Sequence, residues 1–250
     1  MPAIPAWPPK SLTRLFVRTP LGENASVELD AGQANYLGNV MRLGVGAQLL
    51  VFDGQSGEWR ARIAEAGKRR MTLCVELRTR EPEVIPDVWL AFAPVKRAPT
   101  DWLVEKATEL GAARLLPVIT QRTIAERVKL QRLEAIAIEA AEQCGRTRLP
   151  AIAEPLALDQ LLKQRDASRT LYFADEGGGG WAADEFAAKP CLILIGPEGG
   201  FTDDERAAIR SAPNSVAISL GPRILRAETA ALAALATYMA VVGDRRLIDR

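Results

Sequence analysis

Histidine is absent from all 250 residues. That removes the side chain most often used for proton transfer near neutrality, and with it His-based triads, His general bases and His-containing zinc sites. Cysteine is scarce. Cys74, Cys144 and Cys191 are far apart and odd in number, which fits reduced thiols in a cytoplasm rather than a disulfide framework. With no Cys-x-x-Cys either, a structural zinc has almost nothing to bind it. No apolar run approaches the ~20 residues needed to cross a bilayer. The proline-broken start, MPAIPAWPPK, has no apolar signal-peptide core, so the expected location is cytoplasmic. Any chemistry must come from carboxylates, arginines, backbone amides or a cofactor, and no metal is expected.

What is present is the profile of an ordinary globular protein, 48% hydrophobic and 25% charged, long enough for one large domain or two small ones. The net charge of +1 is unevenly spread. Residues 1–80 hold 11 Lys+Arg against 7 Asp+Glu, a net of +4, and residues 81–250 hold 21 against 24, a net of −3. A basic N-terminal third fits a polyanionic partner, and equally a chance excess of solvated arginines.

Along the first eighty residues, SVELD, AQLLVFDG, EWRARIAEA and MTLCVELRT alternate polar and apolar residues, with a turn at Asp53-Gly54 and one helical stretch over Ala31–Met41. This predicts a small β-barrel module at 1–80. The two-proline stretch EPEVIP, 81–86, reads as a linker. From 87 to 250 strands and helices alternate. Strands are expected at VWLAFAP, RLLPVIT, AIAEP, TLYFAD, CLILIG and SVAISLG. Helices are expected from a Thr100 cap to Gly111, at Glu126–Gly145, Leu158–Gln164, Asp203–Ser211 and Glu228–Val242. Several strands are continuously apolar, so the fold class is α/β with a parallel sheet covered on both faces.

Two loops stand out. LILIGPEGGFTDDE (Leu192–Glu205) is strand, glycine-rich bend and helix, with a Thr202/Glu205 capping box. It matches neither common phosphate-binding pattern, and the acids at the helix start would repel a pyrophosphate. Alone it reads equally as a tight βα turn or as a ligand site. SLGPRILRAETAALAAL (Ser219–Leu235) repeats the arrangement, with Gly221-Pro222 ahead of an alanine-rich helix. Two strands expected to be adjacent, each ending in Gly-Pro, point to a ligand held largely by backbone. Two further stretches are weaker candidates. In AAEQCGRTRLP, Glu142 and Arg146 are spaced as a helical ion pair beside Gln143, and in APVKRAPTDW, Lys96 and Arg97 follow a strand end.

G-P-E-G-G-F at 196–201 together with L-G-P-R-I-L-R-A-E-T-A at 220–230 resembles the RsmE family, uridine-N3 methyltransferases of small-subunit ribosomal RNA within the SPOUT class of knotted methyltransferases. E-K-A-T-E-L-G at 105–111 and A-E-Q-C-G-R at 141–146 are similar to two further family motifs in the same order. V-F-D-G at 51–54 extends the likeness over essentially the whole chain. The resemblance implies a PUA-like β-barrel that binds RNA, then a SPOUT domain tied into a C-terminal trefoil knot, acting as a homodimer with the active site near the subunit interface.

It further implies S-adenosylmethionine as cofactor, held by Ile195, Gly196, Pro197, Glu198, Gly199 and Gly200 on one loop. Ser219, Leu220, Gly221, Ile224, Leu225, Arg226 and Ala230 would hold it from the other. The N3 proton would leave to Glu142 or Glu198, or late to water. Arg226 or Arg146 would stabilise charge on the uracil oxygens, Arg226 being favoured because it directly follows the cofactor loop. RNA would meet Arg42, Lys96, Arg97, Arg122 and Gln143, with 16S rRNA, naked or in the assembled small subunit, as substrate. One departure stands out: where family members commonly carry a His pair, this chain has Asn35-Tyr36. Alternatives are a SPOUT enzyme acting on tRNA or on a ribose 2′-oxygen, and a non-catalytic RNA-binding module.

Overall fold

The computed structural model describes residues 12–67, 70–124 and 128–243. The N-terminal stretch MPAIPAWPPK lies outside them. Contacts divide the chain into two units: the chain up to Glu83 together with Ala141–Leu149, and the chain from Val84–Ala140 together with Pro150 onward.

The first unit carries β1 (Arg14–Phe16), β2 (Ser26–Leu29), α1 (Ala31–Asn35), β3 (Gln48–Phe52), β4 (Glu58–Ala66) and β5 (Met71–Arg80). They form a five-stranded sheet in the order β1-β3-β4-β5-β2, antiparallel except for β1 against β3. The alternation has the consequence expected for period-two strands. Met71, Leu73 and Val75 of β5 are buried while Thr72, Cys74 and Glu76 between them are not. Leu37, Leu49, Val51, Ile63 and Leu73 make a fully buried centre.

Two features differ from expectation. β1 was not foreseen, being three residues too short to show a period. The helix over Ala31–Met41 is split: α1, capped reciprocally by Asp30 and Gln33, gives way to a π-helical turn at Tyr36–Val40. The wider turn places Leu37 in the core and leaves Tyr36, Val40 and Met41 exposed.

A buried ion pair anchors this unit. Arg14 Nε donates to Glu58 Oε2 at 2.7 Å, with both side chains almost wholly buried. The same guanidinium lies over the Phe52 ring and donates to the carbonyls of Ala141, Glu142 and Arg146 at 2.6–2.9 Å. Arg80 Nη2 donates to Glu58 Oε2 at 3.0 Å and to the Gly145 carbonyl at 2.6 Å. Two cations thus cap the carbonyl end of a helix that finishes at Cys144, where the helix dipole favours positive charge.

Burial pushes the Glu58 carboxyl up, but the hydrogen bonds from Arg80 and Arg14 outweigh it and hold the group below its ordinary 4.5. The unfolded chain therefore takes up this proton at a higher pH than the folded one. The contribution is complete above about 4.5 and is lost as the pH falls through the folded value. Urea midpoints measured from about pH 6 to pH 3 are expected to fall less steeply in Glu58→Gln, which lacks the titrating carboxyl, than in the unaltered protein. Parallel curves would contradict this.

The second unit contains β6 (Val88–Phe92), α2 (Arg97–Glu109), β7 (Arg114–Ile119), α3 (Leu130–Cys144, whose last turn belongs to the first unit), β8 (Ala151–Ile152), β9 (Leu156–Ala157) and α4 (Leu158–Gln164). It continues with β10 (Thr170–Ala174), β11 (Gly180–Trp181), α5 (Ala182–Glu185), β12 (Cys191–Ile195), α6 (Asp203–Ser211), β13 (Ser215–Ser219) and α7 (Ala227–Val241). The strands are ordered β11-β13-β10-β12-β6-β7-β8, with β9 beside β7, and every pairing is parallel.

Successive residues of the apolar strands feed opposite cores. Leu90, Phe92 and Ile193 join Leu103, Val104 and Leu235 on one face, and Ala91, Leu192 and Leu194 join Leu158, Leu161 and Ile209 on the other. A parallel sheet covered on both faces needs this continuous apolarity. Burial of the Cys191 thiol within it pushes its pKa up to about 12, which keeps the group protonated and unreactive.

Three expectations need correcting. Thr100 does not cap α2, which starts a turn earlier at Arg97. Pro99 is tolerated there because first-turn N–H groups have no helical partner, and the Thr100 hydroxyl instead accepts from the Val95 N–H at 3.1 Å. α3 begins at Leu130 rather than Glu126, and 125–127 lie outside the described residues. The two Gly-Pro strands, β12 and β13, are not neighbours, because β10 runs between them. Among the described residues no helix is long and apolar enough to cross a membrane.

Candidate functional site

Parallel strands end on the same edge of a sheet, so the loops after β13, β10 and β12 emerge side by side. They enclose a cleft of about 320 Å³. The first wall is the bend after β12. Its turn closes through Gly200 N–H to Pro197 O at 2.9 Å, and a Cβ on Gly196 would lie 3.1 Å from the Phe201 ring.

This bend is held from behind. Thr202 and Glu205 form the expected capping box, and the second Glu205 oxygen accepts from the Gln121 N–H at 2.8 Å. Arg122 Nη1 donates to the Gly199 carbonyl at 2.6 Å. Glu205 and Arg122 thus fix the loop.

The second wall follows β13. Gly221 has φ +117°, a conformation that side-chain-bearing residues rarely adopt, and it turns the chain so that Leu220, Ile224 and Leu225 face the cleft. The third wall, Ala174–Gly178 after β10, went unrecognised in the sequence. The signal was there: TLYFADEGGGG is again an apolar strand running into acids and glycines. Asp175, almost fully buried, is bound by Arg210 at 2.6 Å and Arg206 at 3.3 Å. Its neighbour Glu176 is half exposed at the cleft. Pro222 of the second Gly-Pro pair and its neighbour Arg223 also line the site, as do Phe201, Arg206, Ile218 and Ala227.

Ile195, Gly196, Pro197, Glu198, Gly200, Ser219, Leu220, Gly221, Ile224, Leu225 and Ala230 all line the cleft. Gly199 and Arg226 do not. Gly199 turns its carbonyl to Arg122, and Arg226 is the exposed cap residue of α7, set between the lining residues Leu225 and Ala227. Its side chain caps nothing.

Glu142 and Arg146 fall in the first unit. Glu142 Oε1 accepts from the Phe16 N–H at 2.8 Å, and buried Arg146 places Nε 3.2 Å from Glu83 Oε1. Arg146 lies beyond the end of α3, so the two do not share a helix face. Lys96, Arg97, Arg42, Gln143, Asn35 and Tyr36 are exposed, and Asn35 accepts from Asn39 at 2.7 Å. No group of three or more His, Cys, Asp and Glu suited to a metal occurs among the described residues.

The geometry offers a ligand three apolar-lipped loops, abundant backbone donors and acceptors, and two solvent-facing carboxylates, Glu176 and Glu198. No nucleophile such as Ser-His or Cys-His is present, since histidine is absent.

Comparison with known proteins assigns this arrangement. Residues 81–239 match an RNA methyltransferase domain, and 29–75 match an RNA methyltransferase PUA domain. The chain is 32% identical over 228 residues to the ribosomal RNA small subunit methyltransferase E of Rickettsia conorii, covering 89% of this chain and 93% of that one. The Synechocystis protein of the same name is 34% identical over 226 residues, covering 87% and 74%. The crystal structure of the Neisseria gonorrhoeae ribosomal RNA small subunit methyltransferase E, bound to S-adenosyl methionine, superposes with a TM-score of 0.87 at 28% identity, covering 94% of this chain and 99% of that one. The small β-sheet unit is therefore a PUA-like domain, the parallel-sheet unit is a SPOUT-type methyltransferase domain, and the chain belongs to the RsmE family of ribosomal RNA small subunit methyltransferases.

Proposed function

We propose that this protein transfers a methyl group from S-adenosylmethionine to N3 of a uridine in 16S rRNA of the small ribosomal subunit. The observation that carries the reading is the cleft itself, with two Gly-Pro loops and a third acidic loop on the carboxyl edge of one parallel sheet. The residues fit the cofactor. Backbone of Gly196–Gly200 and Ser219–Gly221 can pair with its polar groups, Leu220, Ile224, Leu225 and Ala230 offer an apolar wall to a purine, and exposed Glu198 favours a cation, Glu176 being engaged by Arg206 at 3.4 Å. The cofactor supplies a methyl group already activated on a sulfonium, so the chain needs no nucleophile of its own.

What remains is to orient uracil N3 and accommodate its proton. Glu198, exposed on the cleft, takes that proton or passes it to water. Arg226 stabilises charge developing on the uracil oxygens. The PUA-like domain and the basic loops hold the RNA, and the chain acts in the cytoplasm as a homodimer, with the knot characteristic of SPOUT enzymes in its C-terminal part.

Mapping methylated nucleotides in 16S rRNA from cells lacking the protein tests this. The expected result is loss of one N3-methyluridine, restored by the intact gene. A missing tRNA or ribose 2′-O-methyl mark would sink the assignment.

The cofactor site has its own test. Gly221→Val makes φ +117° unfavourable by about 1–3 kcal/mol, so the free loop relaxes away from this conformation and binding must restore it. Titration calorimetry with S-adenosylmethionine is expected to show affinity lower by roughly 5- to 150-fold. Unchanged affinity would remove the second loop from the site.

A further inference from the structure

A second cavity, of about 480 Å³, opens on the same domain and shares no residue with the cofactor cleft. It lies beyond the carboxyl end of β6, whose following residues Pro94–Arg97 form one lip. In the sheet β6 is the immediate neighbour of β12, whose own terminal bend is the first wall of the cleft. The two cavities therefore open on one edge, from adjacent strands roughly 5 Å apart.

The chemistry of this cavity is divided. Its floor is apolar: Val95 and Leu133 are buried, Val128 is partly covered, and Ile124 is 73% exposed. Among the described residues its rim is cationic, with Lys96, Arg97, Lys129 and Arg132 against one carboxylate, Asp101. Asp101 is engaged by Arg132 at 2.9 Å and lies 4.0 Å from Arg97. Lys96 and Lys129 make no ion pair among the described residues, and both are exposed.

An apolar floor with ammonium groups at its rim that make no ion pair among the described residues matches a planar base carrying a phosphate. A protein surface, by contrast, would meet a net excess of positive charge among the described residues of this rim. Ile124, 73% exposed, stands with two exposed lysines on the same cavity. That arrangement suits an unstacked nucleotide, which presents a flat apolar face and an anion together.

We propose that this cavity is a second RNA subsite, holding one unstacked nucleotide of the substrate strand near the target uridine, with its base on Ile124 and Val128 and its phosphate between Lys96 and Lys129. The proposal rests on the methyltransferase reading above. In that frame the subsite fixes the strand's position along the sheet edge, so that the base presented to the cofactor cleft is the intended one.

The test compares Lys129→Ala and Ile124→Ala with the unaltered protein. Binding to 16S rRNA and to a single-stranded oligouridylate is measured over a series of salt concentrations, alongside S-adenosylmethionine affinity by calorimetry. Both positions are exposed, so neither change disturbs the core. Lys129→Ala is expected to weaken RNA binding and lower the slope of log K against log salt by about 1, the signature of one lost phosphate contact. Ile124→Ala is expected to weaken RNA binding without changing that slope, with cofactor affinity unaltered in both. Unchanged RNA binding by both variants, with the unaltered protein binding normally, overturns the subsite alone. So does loss of cofactor affinity in either variant, because the cavity would then belong to the cofactor site. Failure of the unaltered protein to bind 16S rRNA overturns the reading beneath it, and the subsite with it.

Discussion

Replacing Arg14 with alanine is expected to destabilise the first unit by about 3–5 kcal/mol. The side chain is only 6% exposed and donates to the Glu58 carboxylate and to the backbone carbonyls of Ala141, Glu142 and Arg146. Alanine removes these hydrogen bonds and leaves buried acceptors without their charged donor, which costs more than the bonds themselves are worth. Arg80 still reaches Glu58, so the carboxylate is not left wholly alone, and the lower part of that range is the more fitting. Arg14→Lys keeps the charge but not the planar fork that spans a carboxylate and three carbonyls, so it should recover only part of the loss. The measurement is amide hydrogen exchange of β3, β4 and β5 together with the urea midpoint. A change of under about 1 kcal/mol would show that the pair contributes no more than an exposed salt bridge does.

That node also shows where sequence reading stops. The strands of both domains were legible because their periods are plain: Met71, Leu73 and Val75 alternate, and CLILI is apolar throughout. α4 and α6 begin and end where expected, and for α6 the Thr202/Glu205 box marks the start. The association of Ala141–Leu149 with the first unit was not legible, since it depends on Arg14 and Arg80 reaching carbonyls more than sixty residues away. A division drawn only at the proline-rich stretch 81–86 misses it, and a truncation there would strip 141–149 of its partners.

The site divides in the same manner. Two of its loops announced themselves by glycine and proline. The third did not, because Asp175 and Glu176 resemble any acidic loop until β10 is found between β12 and β13. Likewise Arg122 reads in the sequence only as a basic loop residue, and its hydrogen bond to the Gly199 carbonyl appears only in the fold.

Arg226→Ala is expected to lower kcat by about 10²–10³ while leaving S-adenosylmethionine affinity within a few-fold of normal, the size of effect seen when one donor to a developing anion is removed. The reasoning starts from a local conflict. Arg226 occupies the N-cap position of α7, a fifteen-residue helix, where the dipole is positive and a cation is disfavoured by a few tenths of a kcal/mol or more. Its side chain makes no capping hydrogen bond, and no ion pair compensates the charge among the described residues. Residues that break a local rule with no structural return are where function is expected.

Leu225 and Ala227 on either side line the cleft, so Arg226 lies beside it, and its exposed side chain is available to a substrate base rather than to the cofactor. There it would share the helix N-terminus's positive field, and both would stabilise negative charge on the uracil oxygens as the N3 proton leaves. Arg226→Lys keeps the charge and loses the fork, so partial recovery of kcat would identify charge as the larger part of the effect. The cofactor affinity separates this role from a structural one. If Arg226→Ala binds S-adenosylmethionine normally and still turns over at the full rate, the residue has no part in catalysis, and the anion must be met by the helix N-terminus alone.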